Sequence, residues 1–585
     1  MFCNRIIAIP RTDVLICLIL ALPTCWKLAY CESLRPIFAS VDDIQNSLNA
    51  GVSCTAIITA FLHRINTFND AIRAVITVSP RVLQDAAAID AARRGTGRRL
   101  ALDCVPLLVK DNFNTAGVRT TSGSRTLVDY IPRTNAFVVQ RMLDNGAVLI
   151  GKANMAEFAD CGTMSRSSTG GLVRNPYDRT RTTSGSSGGT GAGIAAGFAV
   201  LGLGTDTEGS VIGPSARGGL FGLRPTVDTA PAAGIFPALP TMDTPGPMAK
   251  NLKDVAYSWG AILGDPNRFI QTLSLGVQNI GIGIWTNLLQ PSQLAVADKV
   301  VIDFQPDDAL VQIIYGQLSQ AWSSAGAVVK NITTPLDQQS KIQETVLSFS
   351  GLKSGPCARS RQRQALEDYF QATQWTSAAG WVAASDFSTP QFSGYDPAAK
   401  FNSILRATSP PPVQDCNQWD SLRRQLQSQL GTVMSDASVD LLVWPAQASD
   451  PAKLSLVEFC ATLPTEGNSA TSLSPVSGWP SLVLPVGFSR TGFPYAVQMI
   501  AKAAKEDLLL RVGAVWERQA TNLLHVPTGT PELDANQLSF GQYYSGYSGQ
   551  SRTGQVYPRS LALFERHRSD GFVKYQLPLL YNHDA

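Results

Sequence analysis

The feature that most constrains the fold is a glycine- and serine-rich stretch from Thr182 to Thr226, TTSGSSGGTGAGIAAGFAVLGLGTDTEGSVIGPSARGGLFGLRPT. It contains two serine clusters in glycine-rich turns, joined by a run of small apolar residues from Gly191 to Val200. Small side chains let a helix pack tightly against a sheet, so we expect this run to be a helix whose N-terminus faces the first serine cluster. Glycine-rich turns let backbone amides approach a ligand closely, and a serine in such a turn can be a nucleophile with a ready oxyanion site.

The segments around this stretch alternate between strand and helix patterns. Residues 35–100 have a helical pattern, including an alanine-rich helix over 81–94. Short apolar runs predict strands at 105–109, 147–150, 281–285, 441–444 and 482–486. Further helices are predicted at 135–144 and 506–519. This alternation favours an α/β fold, and 585 residues of which 44% are hydrophobic can bury a large core.

Both ends of the chain differ from the middle. Arg5 and Arg11 precede a short apolar run, Val14 to Leu22, which predicts a signal peptide over residues 1–31 and no stable membrane span. The alternatives are a single membrane anchor or a cytoplasmic N-terminus. We therefore expect a secreted or secretory-pathway protein, with a cytoplasmic one as the alternative. Residues 526–585 are rich in Gly, Ser and Tyr and predict a partly disordered extension.

Composition argues against several classes of function. The net charge is only +3 and the basic residues are scattered, so no nucleic acid is expected as a partner. The four histidines and the lack of a CxxC pair argue against a metal site, and we expect no metal and no cofactor. Six cysteines follow the N-terminal segment, an even number that allows disulfides: Cys54, Cys104, Cys161, Cys357, Cys416 and Cys460. The sequon at Asn331 is compatible with secretion.

Two serines and a lysine form an acid–base set that needs no histidine. Lys110 directly follows the predicted strand at 105–109, in the sequence CVPLLVKDN, upstream of Ser186 and Ser210. A lysine can serve as a base when desolvation lowers its pKa, so Lys110 could deprotonate Ser186, which could in turn deprotonate Ser210. The spacing of the three residues alone does not establish such a relay.

Several motifs in a specific order resemble those of the amidase signature family, over about residues 40–525. They are VPLLVKDNFNTAG (105–117), GKANMAEFA (151–159), RNPYDRTRTTSGSSGGTGAG (174–193), GLGTDTEGSVIGPSARGGLFGLRPT (202–226), MDTPGPMA (242–249) and WPSLVLPVGF (479–488). The resemblance implies one large α/β domain over residues 35–525, with a mixed central sheet covered by helices. It implies hydrolysis of the amide bond of a small molecule, and a homodimer is left open.

The resemblance also implies roles for individual residues. Lys110 matches the catalytic lysine, Ser186 a bridging serine on a cis peptide bond, and Ser210 the nucleophile that forms an acyl-enzyme. Backbone amides of the loop that contains Thr207, Glu208 and Gly209 would form the oxyanion hole. Asp206 and Ser187 would support this network at the substrate site.

Three residues depart from the family pattern. Glu208 stands where the family has glycine, which predicts backbone strain if φ is positive there and adds a negative charge beside the oxyanion site. Ile212 replaces an arginine, so Asp206 is expected to lack its usual cationic partner. Ser184 also replaces a usual glycine. These departures leave two interpretations, a weakened or inactive amidase-like binding protein and a site where Glu208 selects a cationic group.

Other enzyme classes fit single motifs. Gly185-Ser186-Ser187-Gly188-Gly189 matches the nucleophile elbow of α/β-hydrolases, with Ser187 as nucleophile of an esterase, although the preceding residues are polar and poor in strand signals. Ser350 and Lys353 match SxxK, which we interpret as chance because the KTG companion is absent. The signal-like N-terminus disfavours the transamidating role that related family members have in complexes with partner proteins.

Overall fold

The computed structural model describes residues 34–288, 292–296, 300–304, 306–353, 355–384, 397–407, 413–447, 449–454, 472–520 and 527–532. These residues belong to one compact unit. The predicted signal peptide at 1–31, and the predicted extension from 533 onward, lie outside the described residues. Within the part of the chain that the structure describes, no helix combines the length and apolarity that a membrane span requires.

Among the described residues, eleven strands form a central mixed sheet: β1 Val75–Val78, β2 Pro106–Lys110, β3 Val148–Ala153, β6 Leu201–Asp206, β7 Phe221–Arg224, β8 Thr244–Ala249, β9 Gly281–Trp285, β12 Val328–Ile332, β13 Leu441–Pro445, β14 Ser481–Phe488 and β15 Pro494–Ala501. Their order in the sheet is β1-β3-β2-β6-β8-β7-β14-β15-β13-β9-β12. The β2 strand runs parallel to both β3 and β6, whereas β6, β8, β7, β14 and β15 pair antiparallel. Two small hairpins lie apart from it, β4 Arg166–Ser167 with β5 Gly171–Leu172 and β10 Ser292–Val296 with β11 Val300–Phe304.

Helices cover the sheet. In chain order the α-helices are α1 Val41–Asn49, α2 Cys54–Ile72, α3 Val82–Gly95, α4 Phe137–Asp144, α5 Gly188–Ala195, α6 Ile212–Gly218, α7 Leu252–Ile262, α8 Asp308–Ile313, α9 Ser319–Ser324, α10 Leu336–Leu352, α11 Pro356–Thr373, α12 Ala378–Ala384, α13 Pro397–Leu405, α14 Val413–Asp436, α15 Leu473–Ser477 and α16 Glu506–Gln519. A π-helical turn, Ile314–Leu318, joins α8 to α9. Short 3₁₀ turns lie at Arg125–Leu127, Glu157–Ala159, Thr272–Ser274 and Thr286–Leu288. The predicted α/β fold with a mixed sheet is confirmed.

Two predictions about local structure need correction. Residues 35–100 are not wholly helical, because β1 pairs antiparallel with β3 directly after α2. The helix predicted over 191–200 is instead α5, which begins earlier, at Gly188, and ends at Ala195. Gly197 follows in the left-handed conformation, with φ 74°, and turns the chain into β6. Both serine clusters therefore lie at the ends of elements that pack on the sheet.

The parallel pairing of β2 with β6 positions the site. Val109 is registered with Leu203, so the last residues of the two strands, Lys110 and Asp206, emerge at the same edge of the sheet. All five residues of β2 and all six of β6 are buried. Side chains at this edge therefore lie close together in a dry environment.

Disulfides and a C-terminal segment connect outer parts of the domain to the rest of it. Disulfides join Cys54 to Cys104 and Cys357 to Cys416, and Cys161 is also disulfide-bonded. Residues 527–532, the start of the predicted extension, pack on the domain. The Gly529 amide donates to the Pro176 carbonyl at 2.8 Å.

Candidate active site

Lys110 ends β2 with its ammonium group inside the protein. Its Nζ lies 2.7 Å from Ser186 Oγ, 2.7 Å from Thr205 Oγ1 and 3.3 Å from the Thr205 carbonyl. Burial lowers the pKa of Lys110 to about 7, while the carboxylates of Asp206 and Asp243 act in the opposite direction. Near neutral pH this side chain can therefore be an uncharged amine that accepts a proton.

Ser186 lies in a loop whose backbone is held on several sides. The Gly185–Ser186 peptide bond is cis, as the resemblance implied. The Ser186 carbonyl accepts hydrogen bonds from the Ala156 amide at 3.0 Å and from Ser165 Oγ at 3.2 Å. These contacts leave the Ser186 hydroxyl facing Lys110, and the Ser186 side chain is fully buried.

Ser187 joins the two serine loops. Its amide donates to the Ser210 carbonyl at 3.3 Å, and its Oγ donates to the Thr205 carbonyl at 3.1 Å. It stands directly before α5, after a loop and not after a strand, which is not the setting of a nucleophile elbow. The three histidines downstream of Ser187, which such a nucleophile would need as partners, are His525, His567 and His583, and they lie outside the described residues.

Ser210 stands between β6 and α6 and keeps a small exposed surface. It is 6% exposed, whereas Lys110 and Ser186 are both 0% exposed. Among the described residues no hydrogen bond joins Ser186 Oγ to Ser210 Oγ, and the contact between the two loops runs through the backbone of Ser187. The structure thus places Lys110 against Ser186 and leaves Ser210 nearby, as the residue of the three that solvent reaches.

Asp206 organises the loop that contains Ser210. Its Oδ1 accepts from the Gly209 amide at 2.8 Å, and its Oδ2 accepts from the Val211 amide at 2.7 Å and the Ile212 amide at 3.3 Å. Arg224 NH1 donates to the Asp206 carbonyl at 2.8 Å and lies 3.4 Å from Oδ1, and both side chains are fully buried. The expectation that Asp206 lacks a cationic partner is therefore wrong, since an arginine on β7 takes that place.

Three predictions at the oxyanion loop also change. The Gly209 amide is bound to Asp206, so it is not available to an oxyanion, whereas the amides of Thr207, Glu208 and Ser210 make no hydrogen bond to the described residues. Asp206 likewise uses its carboxylate on the loop backbone and is closed to a substrate. Backbone strain at Glu208 is not found, because Gly209, with φ 99°, takes the left-handed conformation instead. Ser184, with φ 61°, does carry the strain of a left-handed non-glycine residue.

The side chains of Thr207 and Glu208 have partners on other elements. Thr207 Oγ1 donates to Asp243 Oδ1 at 2.6 Å, and the Asp243 carboxylate also accepts from the amides of Ala238 and Leu239. Glu208 forms an ion pair with Lys353, which directly follows α10. The charge that Glu208 adds beside the site is thus neutralised.

Several residues of the site were not anticipated as such. Thr205 holds Lys110, and Asn112 Nδ2 in turn donates to Thr205 Oγ1 at 3.0 Å. Behind Lys110, Lys152 lies 3.4 Å from Asp111 in a second fully buried ion pair, in which burial lowers the pKa of Lys152 to about 8. Thr205 stands beside Asp206 in the motif GLGTDTEGS, which was the signal that could have identified it. Among the described residues no group of three or more His, Cys, Asp or Glu side chains could hold a metal ion.

The chain is similar to proteins whose names refer to amide chemistry. The family model described as Amidase matches residues 56–280. The chain is 34% identical over 286 residues to a subunit of glutamyl-tRNA(Gln) amidotransferase from Saccharolobus solfataricus, a match covering 46% of the chain and 58% of that protein. It is 27% identical to the protein of the same name from Synechococcus sp., over 83% of the chain and 98% of that protein. The solved structure of native peptide amidase from Stenotrophomonas maltophilia superposes with a TM-score of 0.69 at 26% identity, over 84% of the chain and 99% of that protein.

Proposed function

Because the chain belongs to the amidase signature family and is an amidohydrolase that acts on carbon–nitrogen bonds, we propose that it cleaves linear amides through an acyl-enzyme formed on Ser210. The observation that carries this proposal is the 2.7 Å contact between Lys110 Nζ and Ser186 Oγ in a solvent-free interior. An amine whose pKa is about 7, hydrogen-bonded to a serine hydroxyl, is a suitable general base. Ser210 is the hydroxyl that a substrate can reach.

In the first half of the proposed reaction, uncharged Lys110 accepts a proton from Ser186 as Ser186 accepts the proton of Ser210. Ser210 Oγ attacks the amide carbonyl carbon, and the negative charge that develops on the carbonyl oxygen is stabilised by amides of the loop. Because the Gly209 amide is bound to Asp206, this role falls to the other amides of the loop, those of Thr207, Glu208 and Ser210. We expect the hydroxyls of Ser186 and Ser210 to come within hydrogen-bond distance when substrate is bound, as is common for catalytic hydrogen bonds.

In the second half, the tetrahedral intermediate collapses and the carbon–nitrogen bond breaks. Ser186 gives its proton to the leaving amine and is reprotonated by Lys110, which returns to its uncharged form. Water then attacks the Ser210 ester, and its proton passes along the same path to Lys110 and back to Ser210. The products are a carboxylic acid and an amine, with the enzyme restored.

A weakened or inactive binding protein is not favoured. The two reasons for expecting one were Glu208 and Ile212. Glu208 is paired with Lys353, and Asp206 is paired with Arg224. Ile212 instead packs in an apolar cluster with Ala216, Ala446, Val483 and Ala496. The changes in the scaffold are therefore compensated by other residues.

The names of the relatives suggest two kinds of substrate. One solved relative is a peptide amidase, and the curated relatives are named for an amidotransferase. We propose a small-molecule amide as substrate, and the second candidate function is that of a transamidating subunit. Disulfides in the described residues support an oxidising compartment, which argues against a role beside tRNA. Hydrolysis of glutamine, but of no other amide in a panel, would favour the second candidate.

The proposed nucleophile can be tested with a matched serine control. Ser210→Ala is expected to abolish hydrolysis of a panel of simple amides and peptide amides and to abolish labelling by a fluorophosphonate probe. Ser215→Ala is the control, because Ser215 is buried on α6 and its Oγ has no hydrogen-bond partner among the described residues. Labelling that persists in Ser210→Ala and disappears in Ser187→Ala would instead support the hydrolase-elbow interpretation.

The compartment is a separate proposal. We propose that the protein matures in the secretory pathway, supported by the disulfides Cys54–Cys104 and Cys357–Cys416. N-terminal sequencing of the protein isolated from its native source tests it, with a mature start near residue 32 as the expected result. Free thiols at all four cysteines in freshly isolated protein would contradict it.

A further inference from the structure

Three consecutive side chains, beginning with the last residue of β6, are each tied to a different element. Asp206 pairs with Arg224 on β7, Thr207 donates to Asp243 before β8, and Glu208 pairs with Lys353 after α10. The backbone between these anchors carries the amides that are proposed to bind the oxyanion. The position of these amides therefore depends on side-chain contacts outside the loop.

Lys353 directly follows α10, a helix that packs on α14. The Lys353 amide donates to the Ser350 carbonyl at 3.2 Å at the end of α10. On that helix Phe349 packs on Trp419 of α14, with ring centroids 4.2 Å apart. Four residues after Lys353, Cys357 is joined by its disulfide to Cys416, also on α14. The contact that holds the Lys353 backbone is thus with the end of α10, and the disulfide links the start of the next helix, α11, to α14.

The Lys353–Glu208 pair is partly exposed to solvent. The Lys353 side chain is 22% exposed and that of Glu208 is 36% exposed. Burial lowers the pKa of Lys353 to about 8. Half-exposed pairs contribute little to global stability, about 1 kcal/mol or less, so the main effect of this pair is on where Glu208 lies.

We propose that Lys353 is a positioning residue for the reaction at Ser210, acting through Glu208 to hold the amides of Glu208 and Ser210 toward the oxyanion. This inference rests on the proposed function. It also assigns Glu208 a purpose other than selecting a cationic substrate group, since its carboxylate is already occupied by Lys353. The SxxK motif is then not a catalytic pair, because Lys353 faces Glu208 and not the Ser350 hydroxyl.

The test compares kcat and KM across variants of the pair. Lys353→Met is expected to lower kcat by about tenfold or more, below the 10²–10³-fold loss for deleting an oxyanion donor, and to change KM less than threefold. Lys353→Arg is expected to keep most of the activity. The exchange variant Glu208→Lys/Lys353→Glu is expected to recover at least part of the kcat that Glu208→Lys alone loses. A trifluoromethyl ketone, which forms a tetrahedral adduct, is expected to bind Lys353→Met more weakly in proportion to kcat/KM.

Arg361→Met is the matched control, because Arg361 pairs with Asp420 in the same helical layer at similar exposures of 25% and 44%. If Lys353→Met keeps kcat within twofold while Ser210→Ala is inactive, the inference fails and the proposed function stands. If Ser210→Ala stays active, the proposed function itself fails. A rise in KM for charged substrates with unchanged kcat would show that Lys353 recognises substrate, and would overturn the positioning role. If Lys353→Met does not fold, Lys353→Arg and the exchange variant decide.

Discussion

Asp206 and Arg224 form a fully buried ion pair, 3.4 Å between Arg224 NH1 and Asp206 Oδ1, beneath the loop that contains Ser210. The same arginine donates to the Asp206 carbonyl, to Thr244 Oγ1 at 2.8 Å and to the Met242 carbonyl at 2.9 Å. One cation thus links β6, β7 and the start of β8. Asp206 in turn holds the loop that contains Ser210, because its carboxylate accepts hydrogen bonds from the amides of Gly209, Val211 and Ile212.

Arg224→Met is expected to lower the free energy of unfolding by about 3–5 kcal/mol, because it leaves the Asp206 carboxylate buried without a cation. Urea denaturation followed by tryptophan fluorescence measures this change. Arg81→Met is the control, since Arg81 forms an exposed pair with Asp85. Equal losses in the two variants would show that Asp206 does not depend on Arg224.

Thr205→Val is expected to lower kcat/KM by about tenfold, because Lys110 loses a hydroxyl acceptor at 2.7 Å. The same change leaves Asn112 Nδ2 without this acceptor and is expected to cost about 1–3 kcal/mol of stability. The hydroxyl favours the charged form of Lys110, so its loss lowers the Lys110 pKa and moves the acid limb of the pH–rate profile to lower pH. Thr205→Ser keeps the hydroxyl and should behave like the parent, and a threonine-to-valine variant with unchanged rates would contradict the role of Thr205.

The pH dependence of hydrolysis should follow Lys110. Below its pKa of about 7 this side chain is charged and cannot accept a proton, whereas above it the amine is free. We therefore expect kcat/KM to rise with pH through about 7, with a slope of one, and then to reach a plateau. Steady-state rates from pH 5 to 9 measure this, with Lys110→Arg inactive throughout because arginine stays charged. A rate that is flat between pH 6 and 9 would exclude Lys110 as the base.

Patterns within one segment were predictable from the sequence, but partners on different segments were not. The strand Gly281–Trp285 and the helix Glu506–Gln519 have the predicted bounds, because an apolar run and a helical period each identify one element. The strand Val75–Val78 was missed, because four residues directly after a long helix carry no period of their own. Sequence motifs likewise identified the separate residues of the candidate site.

The ion pairs of the site depend on tertiary structure. Asp206 on β6 contacts Arg224 on β7 because the sheet order places these two strands on either side of β8. Glu208 contacts Lys353 because α10 ends beside the loop that contains Glu208. Glu208 and Ile212 were interpreted as departures from the family pattern. The expectation that Asp206 lacks a cationic partner was wrong, because Arg224 lies on a distant segment. The pairing of Glu208 with Lys353 was not anticipated for the same reason.

The disulfide between Cys54 and Cys104 is expected to contribute about 4 kcal/mol to stability, because it closes a loop with a sequence separation of 50. It joins the start of α2 to the residues just before β2, so its loss should also loosen the approach to Lys110. Cys54→Ala/Cys104→Ala, compared with the parent in urea, measures the contribution. Added reductant should lower the urea concentration at the unfolding midpoint more for the parent than for the double variant. Equal shifts of the midpoint in both proteins would contradict a contribution of this disulfide to stability.

Arg64 connects the C-terminal segment to the helix behind the serine loop. Its NH2 donates to the Thr530 carbonyl at 2.6 Å and its NH1 to the Pro531 carbonyl at 2.9 Å, while its Nε donates to the carbonyl of Ala196, just after α5. Because the guanidinium is buried, Arg64→Met is expected to lower the free energy of unfolding by about 3 kcal/mol, measured in a chain that ends at residue 533.

Ending the chain at residue 526 removes two of the three carbonyls that Arg64 binds, so the two changes act on the same contacts. A double-mutant cycle of urea unfolding energies is expected to give a combined loss smaller than the sum of the separate losses by about 1 kcal/mol or more. Lys341→Met in both chain lengths is the control, since Lys341 forms an exposed pair with Asp337 on α10. Strict additivity for Arg64 would mean that residues 527–532 stabilise the domain independently of this arginine.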